Sequence, residues 1–193
     1  MTDAAETYEA RARDFLRERD ASPIGGDVVE RWARALRKGA EVIELGCGGG
    51  YPITRALEAA GLRLWAVEGS PTLAAAFRSR FPAIPVHCAR VQDSDFFGRK
   101  FEAAISIGLI FLLSESDQSA LIASVARILV PGGRFLFTAP VETGAWIDMG
   151  TGQPCWSPGR AAYEKFLEQA GFRVVDMFSD QGRNNHYDVE LAR

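Results

Sequence analysis

Glu41-Val42-Ile43-Glu44-Leu45 runs directly into Gly46-Cys47-Gly48-Gly49-Gly50, and this junction restricts the fold more than any other stretch. A short apolar run closed by glycine reads as a buried strand, and a helix signal follows, with Pro52 near its first turn and Gly61 past its end. Glycines between strand and helix permit positive φ and let a ligand approach bare backbone. The alternation continues to the end of the chain. Leu62 to Val67 is a second strand, and Ser70-Pro71 opens a helix through Phe81 as N-cap and first helical residue. Further strands are expected at Ile84 to Cys88, Ala103 to Ile107 and Arg134 to Thr138. Ser116 is expected to cap a helix bearing Leu121, Ile122, Val125, Ile128 and Leu129, and Ser157-Pro158 to start one running to Gly171.

Apolar strands alternating with helices predict a parallel sheet with helices on both faces. The last two strands, Phe172 to Phe178 and His186 to Leu191, are joined by a link too short for a helical crossover, so they should pair antiparallel. The expected fold class is α/β, a doubly wound, Rossmann-like open sheet whose ligands bind beyond the carboxyl ends of the strands.

Ahead of the sheet, Tyr8, Ala12, Phe15 and Leu16 recur at helical spacing beneath an arginine-rich outer face (Arg11, Arg13, Arg17, Arg19), which reads as solvated. Ser22-Pro23-Ile24-Gly25-Gly26 breaks that helix. Asp27 is expected to cap a second helix whose Val28, Val29, Trp32, Ala33 and Leu36 share a face and which Gly39 closes. With 193 residues, 47% hydrophobic and 24% charged, the chain fits one globular domain. Residues 1–38 are expected to form a helical cap and residues 39–193 the sheet core, with loops 140–157 and 179–187 expected over the strand ends. The net charge of −3 argues against a broad basic face for nucleic acid. Ala103 to Leu113, the longest apolar run, is broken by Ser106 and Gly108 and is too short to span a bilayer. Asp3, Glu6 and Glu9 stand where a signal peptide would be apolar. Three cysteines without a CxxC pair, and only His87 and His186 beside them, predict reduced thiols, a cytoplasmic location and no metal site. His87, flanked by Val86 and Cys88 on a strand, reads as structural.

The second strand ends in Val67-Glu68-Gly69-Ser70, where a carboxylate can accept both hydroxyls of a ribose. A dinucleotide fingerprint would need a third glycine where Tyr51 stands, and the loop lacks the Gly-Lys-Ser/Thr ending of a phosphate-binding loop. With no phosphate to cradle, Glu44 can face an ammonium group, directly or through water. Ribose and ammonium without phosphate point to S-adenosylmethionine.

On these residues the chain resembles the class I S-adenosylmethionine-dependent methyltransferases. Their first motif, an acid followed by Gly-x-Gly-x-Gly, matches Glu44, Gly46, Gly48 and Gly50; their second acid matches Glu68. Leu129-Val130-Pro131-Gly132-Gly133 matches the turn before their fifth strand. The resemblance implies a seven-stranded sheet of order 3-2-1-4-5-7-6 with strand seven antiparallel, an N-terminal helical lid, and S-adenosylhomocysteine as product. It implies a cofactor set of Glu44, Gly46, Cys47, Gly48, Gly50, Glu68, Gly69, Ser70, Val91, Gln92, Asp93 and Ile107, with Tyr8 reaching in from the lid or packing on the helix face. One departure stands out. Many members place Asp-Ala after the third strand to hold adenine, but here Arg90 replaces the Asp, so Gln92 or Asp93 is expected to take that contact.

The resemblance leaves the acceptor open. In-line displacement needs alignment and exclusion of water, and an acceptor that carries a proton also gains from a base. His186 is the candidate base, set against a structural role. Arg19, Ser22, Trp146, Asp148 and Tyr187 are the candidate acceptor contacts, Arg19 for an anionic group and Trp146 as an aromatic wall. Pro154-Cys155 follows the fifth strand, unlike the nucleophile of cytosine-C5 enzymes, and Ser106-Ile107-Gly108-Leu109 lacks the Asp/Asn-Pro-Pro-aromatic box of amino-group DNA enzymes. A small-molecule acceptor methylated at O, N or S is therefore expected, with no nucleic acid, membrane or metal partner. The alternatives are a non-catalytic S-adenosylmethionine-binding subunit and an NAD(P)-dependent oxidoreductase. Nothing in the sequence bears on oligomeric state.

Overall fold

The computed structural model describes residues 3–192. Helix α1 (Ala4–Asp20) is capped by Asp3, whose carboxylate accepts the Ala5 N–H, and short α2 (Gly26–Ala33) follows the Ser22–Gly25 turn. Then come β1 (Glu41–Leu45), α3 (Ile53–Ala59), β2 (Arg63–Glu68), α4 (Pro71–Arg80), β3 (Val86–Cys88), β4 (Phe101–Ser106), α5 (Glu115–Ile128) and β5 (Leu129–Thr138). The chain closes with β6 (Thr143–Ile147), β7 (Pro154–Pro158), α6 (Arg160–Gln169), β8 (Phe172–Ser179) and β9 (Asn185–Leu191).

Seven strands form one sheet in the order β3-β2-β1-β4-β5-β9-β8, parallel except for β9, which runs antiparallel to both neighbours. This is the expected order, with β9 as strand seven. Successive side chains of a strand face opposite ways, so β1 divides between two cores. Ile43 and Leu45 join α5 and α6 on one face, while Val42 packs with α2 and α3 on the other. Glu44 shares the face of Val42, and that parity decides its surroundings.

Four local expectations are corrected. Gly25, at φ +87°, stands at the N-cap of α2, and Asp27 lies in its first turn. That helix ends at Ala33, before Gly39. Ser114, not Ser116, caps α5 by accepting the Asp117 N–H. Ser157 and Pro158 belong to β7, and α6 starts behind Gly159, where positive φ (+84°) turns the chain. Residues 140–157 are accordingly no open loop. Most of them build the antiparallel hairpin β6–β7, a second, separate sheet.

Candidate active site

A cleft of about 440 Å³ lies beyond the carboxyl ends of β1, β2, β4 and β5, where β9 begins. Pockets of this size hold small organic ligands. Helix α1 crosses it. Tyr8, Phe15 and Arg19 share one helical face and line the cleft, and Ala12 between them is buried.

Three polar contacts tie that helix down. The Glu9 carboxylate accepts the Thr72 N–H (2.9 Å), the Thr72 hydroxyl (2.6 Å) and the Ser70 hydroxyl, at the N-terminus of α4. These contacts lower the Glu9 pKa. Asp20 takes both outer nitrogens of Arg80, at 2.8 and 2.6 Å. Asp3 accepts from Arg90 at 3.0 Å.

Beneath α1, the end of β2 carries Glu68, 7% exposed, its Oε2 accepting the Gly48 N–H (2.7 Å) and its Oε1 the Ser70 N–H (2.8 Å). Burial raises its pKa against these amide bonds, which favour the anion. Each oxygen keeps a lone pair, and the residue lines the cleft. Gly46, Gly48 and Gly69 line it as well. The glycines answer to protein neighbours besides any ligand. A Cβ on Gly49 would come within 2.2 Å of Leu16 Cδ2, and one on Gly50 within 2.2 Å of Phe81 Cε2. Gly50 therefore admits the Phe81 ring and lies off the cleft. Tyr51 is turned outward, 40% exposed, beneath the Arg80 guanidinium.

Glu44 is not on the cleft wall. Pointing toward α3, it accepts the Thr54 hydroxyl at 2.6 Å and is 4% exposed. Desolvation by burial pushes its pKa up to about 8, the Thr54 hydrogen bond opposing. Cys47 is buried within the loop, its thiol pushed well up by burial, and Ser70 is fully buried as the N-cap of α4. Val91 and Gln92 line the cleft; Asp93 does not, because its carboxylate holds Arg90 Nε at 2.6 Å.

At the β5–β9 end, Ile107, Thr138, Asp148, Asp180, Asn184 and His186 line the cleft. The pairing of β5 with β9 sets Thr138 opposite His186, and Thr138 Oγ1 lies 3.2 Å from His186 Nδ1. His186 Nε2 lies 3.1 Å from Asp180 Oδ2, and Asn184 anchors Asp180 through its N–H and side-chain amide. All three groups are satisfied when Nε2–H donates to Asp180 and the Thr138 hydroxyl donates to Nδ1. Burial lowers the His186 pKa, with Asp180 opposing, which keeps the ring neutral at ordinary pH. The ring is 0% exposed, so an acceptor would meet the Thr138 hydroxyl first.

Tyr187, the next residue, points the other way. It is fully buried and stacked on Phe137 at 4.9 Å, which takes it out of the cleft. Ser22 does not line the cleft either; its hydroxyl accepts from Arg19 Nη1 at 3.5 Å and supports it. Trp146 stands outside, 37% exposed, against Phe111, which does line the cleft. Asp148 reaches the cleft from the hairpin tip and is held by the Thr151 N–H and hydroxyl. Tyr8 bonds Thr151, and burial foremost, then Asp148, raises its pKa. Sequence reasoning missed Thr138, Asp180 and Phe15. The antiparallel register of β5 and β9 was the signal that could have found the first.

Among the described residues no group of three or more His, Cys, Asp or Glu side chains converges to hold a metal ion. No helix among them is long and apolar enough to cross a membrane.

The fold is that of the class I methyltransferases. Residues 42–133 match the family model described as a methyltransferase domain. Magnesium protoporphyrin IX methyltransferase from Synechocystis PCC 6803, solved with bound S-adenosylhomocysteine, superposes with a TM-score of 0.80 at 14% identity over 97% of this chain and 98% of that one. The CcbJ methyltransferase from Streptomyces caelestis gives 0.79 at 18% identity over 97% and 98%. The [4+2]-cyclase SpnF gives 0.76 at 14% identity over 97% and 94%. No curated protein matches by sequence. At these identities the structural likeness speaks for the fold.

Proposed function

We propose that the chain is an S-adenosylmethionine-dependent methyltransferase that moves a methyl group to O, N or S of a small-molecule acceptor by in-line displacement, releasing S-adenosylhomocysteine. The observation that carries this reading is Glu68: a buried carboxylate at the end of β2, on the cleft wall, fixed by two loop amides with lone pairs left for two hydroxyls. The dry, preorganised acid suits a ribose, and the bare backbone of Gly46 and Gly48 beside it suits the chain that continues from the sugar. Val91 and Gln92, which line the cleft beyond Gly69, support an adenine contact on that side. Bound there, S-adenosylmethionine supplies a methyl carbon already activated by its sulfonium.

The chain's own part is binding, alignment and exclusion of water, for which α1 and the hairpin tip form the cover. Ile107 and Phe111 give the acceptor region an apolar wall, and Asp148 a polar one. Where the acceptor carries a proton, Thr138 can take it as its own hydroxyl proton passes to His186 Nδ1, the imidazolium being held by Asp180. Three free cysteines, two of them buried, accord with a reducing cytoplasm.

A fold neighbour that is a [4+2]-cyclase keeps a second reading in view, cofactor binding without methyl transfer. Thermal shift with S-adenosylmethionine, S-adenosylhomocysteine and NAD(P) tests the cofactor, since a ligand preferring the native state raises apparent stability. Stabilisation by the first two alone is expected; stabilisation by NAD(P) instead would sink the proposal. Release of S-adenosylhomocysteine across a panel of phenols, amines and thiols then separates enzyme from binding subunit.

A further inference from the structure

The cleft holds two arginines, and only one is saturated. Arg90 is bound to both Asp3 and Asp93. Arg19, in the last turn of α1, is propped by the Ser22 hydroxyl (3.5 Å from Nη1) and the Ile24 carbonyl (3.0 Å from Nη2). A guanidinium has five N–H donors in a planar fork, so most of its donors remain. The Asp180 carboxylate attracts it from a distance, yet among the described residues no carboxylate forms an ion pair with it. A half-buried cation without a contacting anion is costly, and an anionic ligand in the cleft offsets that cost.

Its position says which part of a ligand it meets. Nη2 lies 3.9 Å from the point where a Cβ on Gly25 would sit, a point 3.2 Å from Ile53 Cδ1 and 3.7 Å from Ile107 Cγ2. The guanidinium therefore stands above the first turn of α3, where Thr54 holds Glu44. Arg90, Val91 and Gln92 lie beyond Glu68, past the end of β3. If adenine and ribose occupy that side, the group left over is an α-amino acid, with ammonium and carboxylate on one carbon. Such a zwitterion needs an acid and a base near each other but not joined. Arg19 supplies the base: it lines the cleft away from the adenine side with its fork uncommitted, while Glu44 lies behind the wall against Thr54.

We propose that Arg19 binds the α-carboxylate at the methionine end of the cofactor, and is not an anchor for an anionic acceptor. The assignment rests on the S-adenosylmethionine reading above. It is tested by calorimetry with S-adenosylhomocysteine and with its decarboxylated analogue, 5′-deoxy-5′-(3-aminopropylthio)adenosine, which keeps the ammonium group. Arg19→Gln should weaken S-adenosylhomocysteine by about tenfold or more, the loss of a charge-assisted fork, and leave the analogue within about threefold of wild type. Arg19→Lys should fall between for S-adenosylhomocysteine, because a point charge replaces a fork. Equal losses for both ligands would show that Arg19 only props the Ser22–Gly25 turn, and would overturn the proposal, as would unchanged S-adenosylhomocysteine affinity in Arg19→Gln. Failure of the wild type to bind either ligand would overturn the cofactor reading, and this assignment with it.

Discussion

On the β1–β2 side of the cleft, polar groups are held from within one strand–helix–strand unit: Glu68 by Ser70 and by the Gly48 amide of the loop after β1, Glu44 by Thr54 in the first turn of the next helix. On the β5–β9 side they come from distant segments. Thr138, Asp148, Asp180 and His186 converge only because β9 runs back beside β5 and the hairpin β6–β7 folds over the rim. The first side is a local construction, dry and preassembled. The second depends on long-range register, and chemistry specific to this chain has most room there.

The dryness of the first side makes the largest effect measurable. Glu44 has its pKa raised by burial from 4.5 to about 8, so the folded protein keeps a proton that the unfolded chain releases. The stability this contributes is fully present below pH 4.5 and is lost as pH rises through 8. Glu44→Gln retains an acceptor for the Thr54 hydroxyl without the titration. Its stability relative to wild type should rise across that window by roughly 3–5 kcal/mol. Urea unfolding at acid, neutral and alkaline pH reads the difference, and a flat difference would mean that Glu44 is wetter than its burial implies.

Next in size is Glu68→Ala. It removes a ribose partner and strands the Gly48 and Ser70 amides, each a buried donor. A loss of about 1–3 kcal/mol in S-adenosylhomocysteine affinity is expected by calorimetry. Unchanged affinity would take Glu68 out of the site and remove the contrast between the two sides.

Local construction is also why the first side could be read ahead of the structure. Strand β1 falls where the apolar run stands, and Ser70-Pro71 caps α4 as its residue types dictate. A cap is less legible where two candidates adjoin. Ser114 and Ser116 are both good N-caps, and the end of the preceding 3-10 turn at Leu112 favours the earlier one. Strand β6 gave no alternation because every one of its residues is exposed, and the buried positions of β7, Cys155 and Ser157, are too few and too polar to mark a strand. Glu44 was assigned to the ligand from its motif, but strand parity sends its side chain to the α3 face. Thr138 and Asp180 carry no local mark at all; they become partners of His186 only through the β5–β9 register and the turn at residues 180–184.

Helix α1 spans both sides, so loosening it should disturb both moderately. Glu9→Ala removes three acceptor contacts at the N-terminus of α4, which resembles the loss of a helix cap, about 1 kcal/mol. Hydrogen exchange should show α1 opening faster while β1 and β4 keep their protection. Faster exchange throughout the sheet would mean that the helix is part of the core and not a cover.

The smallest effect falls on the rim. Trp146 packs on Phe111 at the rim and keeps 37% of its surface exposed, so Trp146→Ala should cost no more than about 1 kcal/mol of stability. S-adenosylhomocysteine affinity should stay within about twofold, since the residue lies off the cleft wall and on the acceptor side. Turnover, once an acceptor is in hand, should respond more than binding of the product cofactor does, because Phe111 loses the ring that holds it against the cleft. A matching fall in S-adenosylhomocysteine affinity would instead join the hairpin to the cofactor side. The division between a locally built half and a half assembled from afar would then fail at its rim.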